Sequence, residues 1–173
     1  MSGTRTAHAI SVFRAPMRSR RDDVPDGPAV ERALTLGVCG MGGRLMPPPP
    51  SLEDALAAAH AQLGDRVARR IERFAAAADG AFVWTRDIDD QVWLGRLAGP
   101  WRYDPAPDAL DVDLVHVRSC DWLEAPVSPA ALPPAVRVAF ARGGRNWQRI
   151  RADDVSTLTA ALWERGERAQ RQR

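Results

Sequence analysis

The chain has 173 residues, 45% of them hydrophobic, which suits a single domain with a buried core. Its formal charge is only +2, yet all 24 basic residues are arginine and none is lysine. Without lysine, a phosphate-binding loop of the G-x-x-x-x-G-K-[ST] type, Schiff-base catalysis and lysine-dependent nuclease chemistry are excluded.

Cys39 and Cys120 lie far apart in sequence. Two thiols make neither a disulfide framework nor a four-ligand zinc site, so both are expected as reduced core residues. The N-terminus has no apolar run of signal-peptide length, and no stretch reaches the roughly 18 apolar residues of a membrane span. A soluble, cytoplasmic protein is expected.

Residues 1–7 are polar and read as a flexible tail. From His8 to Ala15 the chain alternates like a strand, and Pro16 stops it. Met17 to Pro28 is a charged loop. Ala29 to Leu34 reads as a short helix. Thr35 to Met41 reads as a buried strand that Gly42-Gly43 ends. Arg44 to Pro50 closes on four prolines, which forbid helix.

Ser51 and Asp54 then form a capping box, and Leu52, Leu56, Ala59 and Leu63 recur at helical spacing. After Gly64, Asp65 opens a second helix with Val67, Ile71, Phe74 and Ala78 on its apolar face. Gly80 ends it. Arg66, Arg69, Arg70 and Arg73 line the rest as a solvated face, with phosphate binding as the alternative.

The stretch Gly80 to Trp122 holds four of the six Trp, the only Tyr and one of the three His. Ala81 to Arg86 reads as a strand with Phe82, Trp84 and Arg86 on one face and Val83 and Thr85 on the other. Asp89-Asp90 turns the chain into Val92 to Leu97, and Gly99-Pro100 breaks or bends it before Trp101 to Asp104. A proline-rich loop, Pro105 to Pro107, leads to Val112 to Trp122. There Leu114, His116, Arg118, Cys120 and Trp122 share one face.

Beyond the meander, Pro133-Pro134 starts a short helix on Val136, Ala139 and Phe140. Gly143-Gly144 makes a turn, and Asn146 to Ile150 reads as a last strand. Asp153 caps a terminal helix with Val155, Leu158 and Leu162 inside; Gly166 ends it and leaves a flexible basic tail at 166–173. The class is α+β. Residues 8–165 are expected to form one domain, a curved, mostly antiparallel sheet or small barrel with flanking helices.

Catalytic patterns are absent from the sequence. His8, His60 and His116 are scattered, with no H-E-x-x-H or H-x-H pair, and there is no G-x-S-x-G. Gly40-Met41-Gly42-Gly43 is a weak glycine loop, because prolines follow where a dinucleotide site needs a helix. Asp87, Asp89 and Asp90 are better explained by a polar turn than by a metal. Trp84, Trp93, Trp101, Tyr103, Trp122 and Trp147 suit core packing, since Trp is highly buried on average. Yet Arg86, Arg102 and Arg145 lie one or two residues from these rings, and Arg118 lies four from Trp122. Guanidinium groups hold phosphates and rings stack on bases, so the interleaving also suits nucleic acid.

GAFVWTRD, WLGRLAGPWRYD, VHVRSCDWL and RNWQRI resemble EVE-type modules of the PUA-like superfold, as found in Mrr- and McrB-type restriction systems. Gly95, Leu97, Gly99, Trp101 and Tyr103 match one family strand; His116, Arg118, Cys120 and Trp122 match another. The likeness covers residues 8–150 and is specific over 80–125. Ala81 departs from it, standing where the family has an acidic residue.

The resemblance implies a noncatalytic reader of a modified base in nucleic acid, DNA before RNA, serving restriction-modification or phage defence. It implies no cofactor and no metal, and any nuclease or effector would be a separate partner. The expected base-binding residues are Trp84, Trp101, Tyr103, Trp147, His116, Cys39 and Gly40. The expected phosphate or base-edge contacts are Arg44, Arg86, Arg118 and Arg145. Two other readings stand beside this one: a scaffold domain with every tryptophan in its core, and an enzyme acting on a nucleotide or small molecule.

Overall fold

A computed structural model describes residues 9–173. The tail expected at 1–7, and His8 at the start of the first expected strand, lie outside them. The elements run β1 (Val12–Arg14), α1 (Pro28–Leu36), β2 (Val38–Met41), α2 (Leu52–Gln62), α3 (Asp65–Ala76), β3 (Phe82–Arg86), β4 (Val92–Tyr103), α4 (Pro107–Asp111), β5 (His116–Trp122), α5 (Pro134–Ala141), β6 (Gln148–Arg149) and α6 (Val155–Arg171). A single 3₁₀ turn, Pro129–Ala131, precedes α5.

The class is α+β, as the sequence implies. One six-stranded sheet has the order β2-β5-β4-β3-β1-β6. It is open, with β2 and β6 at its ends, and does not close into a barrel. Every pairing is antiparallel except β1 with β3, where Val12 to Arg14 face Phe82 to Trp84.

The alternation on β3 sorts the two cores. Phe82 and Trp84 pack with Val12, Leu94, Val136, Phe140 and Leu162, so this face is covered by α5 and α6. Val83 points the other way, into a cluster with Val30, Ala33, Leu97 and Phe74 beneath α1 and α3. A third cluster joins Leu45 to Ala55, Ala59, Ala68 and Ile71 of the α2–α3 pair. The helical face of α3 thus serves two cores: Ile71 and Phe74 are fully buried, whereas Val67 is half-buried.

Local chemistry sets several boundaries. Ser51 Oγ accepts the Asp54 amide at 3.1 Å, which starts α2 as its cap. The β3–β4 turn is an Asx turn: Asp87 Oδ1 accepts the amides of Asp89 (3.0 Å) and Gln91 (2.9 Å). Among the described residues no cluster of His, Cys, Asp or Glu could hold a metal. At Gly99, φ is +68° and the β4–β5 register shifts between Ala98 and Arg102, so the expected break is a bulge within one long strand.

Three expectations need correction. The proline-rich stretch is not all loop: Pro107 opens α4, and β5 begins only at His116. The second helix of the pair ends at Ala76, not at Gly80. Gly166 does not end the last helix, which runs to Arg171. A Cβ at Gly166 would lie 2.6 Å from Leu123 Cδ1, so the glycine lets the helix lie close on the chain after β5. Gln170 Oε1 then accepts the Glu124 amide at 3.1 Å, and the basic tail is docked helix. Among the described residues no helix is long and apolar enough to cross a membrane.

Phe74 tests this arrangement, because it is 0% exposed and links α3 to the sheet. Phe74→Ala should cost about 3–5 kcal/mol in a denaturant or thermal melt. An unchanged midpoint would mean that the α3 face is misassigned.

Candidate functional site

The loop after β1, the glycines after β2, helix α3 and the turn before β6 meet around a cavity of about 170 Å³. Six arginines line it: Arg18, Arg20, Arg21, Arg44, Arg70 and Arg145. Met41, Leu63 and Val67 supply apolar wall, and Trp147 supplies the ring. Among the described residues Asp113 is its only carboxylate.

Trp147 is held from two sides. Phe13 stacks on it at 4.4 Å between ring centres, and Phe74 meets it edge-on at 5.0 Å. It is 8% exposed, so it offers the cavity a fixed apolar floor of limited area.

The cation density is only partly compensated. Arg21 pairs with Asp23 at 2.9 Å, and Arg18 reaches Asp26 at 4.0 Å. Arg20 and Arg70 both donate to Asn146 Oδ1, a neutral acceptor. Arg145 donates to the Ser19 carbonyl at 3.2 Å. Among the described residues the buried Nε of Arg44 has no partner. Burial first, then the neighbouring Arg20, Arg73 and Arg66, pulls Arg70 below its ordinary value. Mutual repulsion of this kind is relieved by an anion.

Asp113 is fixed by a hydrogen-bonded relay. Its Oδ1 accepts the Gly43 amide at 3.0 Å, and its Oδ2 accepts the Ser19 hydroxyl at 2.6 Å. Ser19 Oγ in turn accepts the Arg21 amide at 3.0 Å. The Gly43 carbonyl accepts His116 Nε2–H at 2.8 Å, and His116 Nδ1 accepts Trp101 Nε1–H at 3.3 Å. Those two bonds require the neutral Nε2–H tautomer. Burial drives His116 from its usual 6.5 down to about 4, in agreement with that form. Gly42 is demanded by contact: a Cβ there would lie 2.3 Å from Asp113 Oδ2. Asp113 itself has φ +51°, a left-handed conformation.

Of the expected residues, the cavity therefore gathers Trp147, Arg44 and Arg145. Tyr103 and His116 stand one layer behind it. The Tyr103 hydroxyl accepts the Leu45 amide at 3.0 Å, and burial raises its pKa. Trp101 caps His116 from further back, with the two rings 5.9 Å apart. Gly40 is a close-approach position in β2, where a Cβ would lie 2.3 Å from the His116 carbonyl oxygen.

The others lie elsewhere. Trp84 is 0% exposed within the α5–α6 core and donates to Thr159 at 3.4 Å. Cys39 is fully buried and its thiol is pushed up to about 12, so it is an inert core residue. Arg86 pairs with Asp90 at 3.6 Å and covers the Phe140 ring, away from the cavity. Arg118 is 2% exposed. It donates to the carbonyls of Gly99 (3.0 Å), Phe74 (3.1 Å) and Ala77 (2.6 Å) and to Asp79 (2.7 Å). These bonds close the C-terminus of α3 and use four of the five guanidinium N–H donors, and the buried side chain does not line the cavity.

The sequence reading missed Asp113, Asn146 and the loop arginines Arg18, Arg20 and Arg21. The R-S-R-R run was a visible signal for the last three. Asp113 carried none, because its significance lies in contacts with Ser19 and Gly43, distant in sequence.

Two measurements separate these roles. Between pH 6.5 and about 4 the unfolded chain binds a proton at residue 116 that the folded chain refuses. Stability should therefore rise with pH through that window and fall by about 3 kcal/mol as pH drops through it. His116→Gln, which does not titrate, should remove this part of the acid loss in melts across the same pH range. Arg118→Lys cannot span the same acceptors and should cost about 3 kcal/mol. Loss of nucleic-acid affinity from that variant without loss of stability would return Arg118 to the binding surface.

These inferences rest on the chain's own residues: no family model matches it, and no curated protein matches it at a significant level.

Proposed function

We propose that this chain is a noncatalytic, EVE-type module of the PUA-like superfold that holds a modified base of nucleic acid. The observation that carries the reading is the cavity over Trp147, lined by six arginines. The α+β class and mostly antiparallel sheet are compatible with it.

The physical case follows from size and charge. A cavity of about 150 Å³ suffices to hold one benzene ring, so 170 Å³ suits one planar ring system entering from an open mouth. Stacking on an aromatic wall contributes about 1–3 kcal/mol per base. With Trp147 only 8% exposed, the lower end applies here. Extruding a base costs a few kcal/mol, least for single-stranded or mismatched substrate. The arginines supply the remainder through the backbone phosphates. One methyl group adds only about 0.8 kcal/mol of apolar burial, so a bulkier or more polar modification is the better target. DNA is the expected polymer, defence or restriction the setting, and any nuclease a separate protein.

The scaffold reading has its own observation, since Trp84 and Trp163 are buried in the α5–α6 core. Binding to modified and plain oligonucleotides at low salt decides between them. The base reader should prefer one modified oligonucleotide, and Trp147→Phe should weaken that preference while keeping the packing on Phe13. Arg20→Gln should weaken all sequences alike and reduce the salt slope by about one. Failure to bind any oligonucleotide would leave the scaffold.

A further inference from the structure

Asp113 is 5% exposed and lines a cavity otherwise ringed by guanidinium groups, yet it forms no ion pair among the described residues. Each of its oxygens already accepts one hydrogen bond, from Gly43 and from Ser19. An ionised carboxylate accepts about four, so each oxygen keeps a further acceptor position. The relay and the close fit against Gly42 hold the carboxylate in place.

Two adjacent acceptors match an edge with two adjacent donors. Among the common bases only guanine has one, N1–H beside N2–H₂. Adenine and cytosine set a ring-nitrogen lone pair beside their amino group. Uracil and thymine flank their single N–H with carbonyls. In each of those cases a lone pair would face the carboxylate. The opposite edge of guanine carries O6 and N7, the acceptor pair that an arginine fork grips. Asn146 adds a donor, because Arg20 and Arg70 occupy its carbonyl and its amide N–H groups have no partner among the described residues.

We propose that Asp113 is a specificity-determining residue that reads the N1–N2 edge of a guanine-type base, an inference that rests on the base-holding reading above. Modifications that leave N1 and N2 unsubstituted are compatible with it. The same chemistry is offered by a free guanine nucleotide and by a guanine extruded from a polymer.

The test titrates the full chain by calorimetry at low salt with the 5′-monophosphates of guanosine, inosine, xanthosine, adenosine, cytidine and uridine. A parallel arm uses single-stranded thymine tracts carrying one guanine or one inosine. Guanosine monophosphate should bind tightest. Inosine monophosphate lacks the N2 amino group and should bind on the order of tenfold to a hundredfold more weakly. Asp113→Asn keeps the shape: its Oδ1 still accepts the Gly43 amide, and its Nδ2–H donates to Ser19 Oγ, reversing that bond. It should lose the guanine preference and gain xanthosine, whose C2 carbonyl meets the new amide. If that variant fails to fold, the guanosine-to-inosine ratio of the native chain still decides.

A matching preference in the tracts assigns an extruded base. Preference among mononucleotides alone assigns a free nucleotide and keeps the edge assignment. Equal binding of guanine and inosine overturns the role of Asp113 while leaving a base-holding cavity. Binding to no nucleotide and no tract overturns both.

Discussion

The Arg118 guanidinium joins three parts of the fold that share no sequence neighbourhood. It projects from β5, receives the last carbonyls of α3 and takes the carbonyl of the β4 bulge. A buried cation is costly unless its donors are matched. Here the match comes from a helix terminus, whose unpaired carbonyls and dipole both favour positive charge. The bulge at Gly99 turns a carbonyl that a regular ladder would spend on a neighbouring strand. Asp79 adds the only carboxylate, at 2.7 Å, from an exposed position. Around this junction the α2–α3 pair is fixed against the sheet, and α3 brings Val67 and Arg70 to the cavity and Phe74 against Trp147.

The cavity depends on that placement and on a second chain of contacts from the opposite side. From Trp101 through His116 and Gly43 to Asp113, each group uses one hydrogen bond to aim the next. His116 is thus a positioning residue: it holds the carbonyl of Gly43, which lines the cavity, and an indole, but does not line the cavity itself. Its depressed basicity is part of the design, because a protonated ring would have no acceptor left for Trp101. A fixed anion among partly compensated cations is an arrangement that recognises polarity at an edge as well as net charge. A cluster of exposed arginines alone would recognise only charge.

Much of the architecture was legible in the residues. Ser51, the Leu and Ala spacing after it, and the Ile71–Phe74 stripe specify a helix pair through local rules that tertiary contacts then confirm. The alternation of Phe82, Val83 and Trp84 specifies both faces of β3. The failures share a cause. Gly166 reads as a helix end by propensity, but Leu123 rewards a helix that passes close beside it. Arg118 reads as a phosphate contact by type, but the α3 terminus claims it. Tryptophan composition cannot say which ring lies under a helix and which faces a cavity, and of the three tryptophans expected there, Trp84, Trp101 and Trp147, only Trp147 lines it. Asp113 and Gly42 show the same limit, since neither is meaningful until β2 and β5 are paired.

The position of β1 has a consequence for how the molecule is made. This strand precedes the others in the chain, yet it lies inside the sheet between β3 and β6. Val12 must wait for Phe82, and Arg14 for Gln148. Such separations carry loop-closure entropy and make folding slow relative to local pairing. The β3–β4 hairpin and the α2–α3 pair need no such wait. The sheet therefore closes late around its earliest segment, and a nascent chain truncated before residue 148 exposes one edge of β1. The stacking of Phe13 on Trp147 belongs to that same last step, so the floor of the cavity is laid only when the rest of the domain is in place.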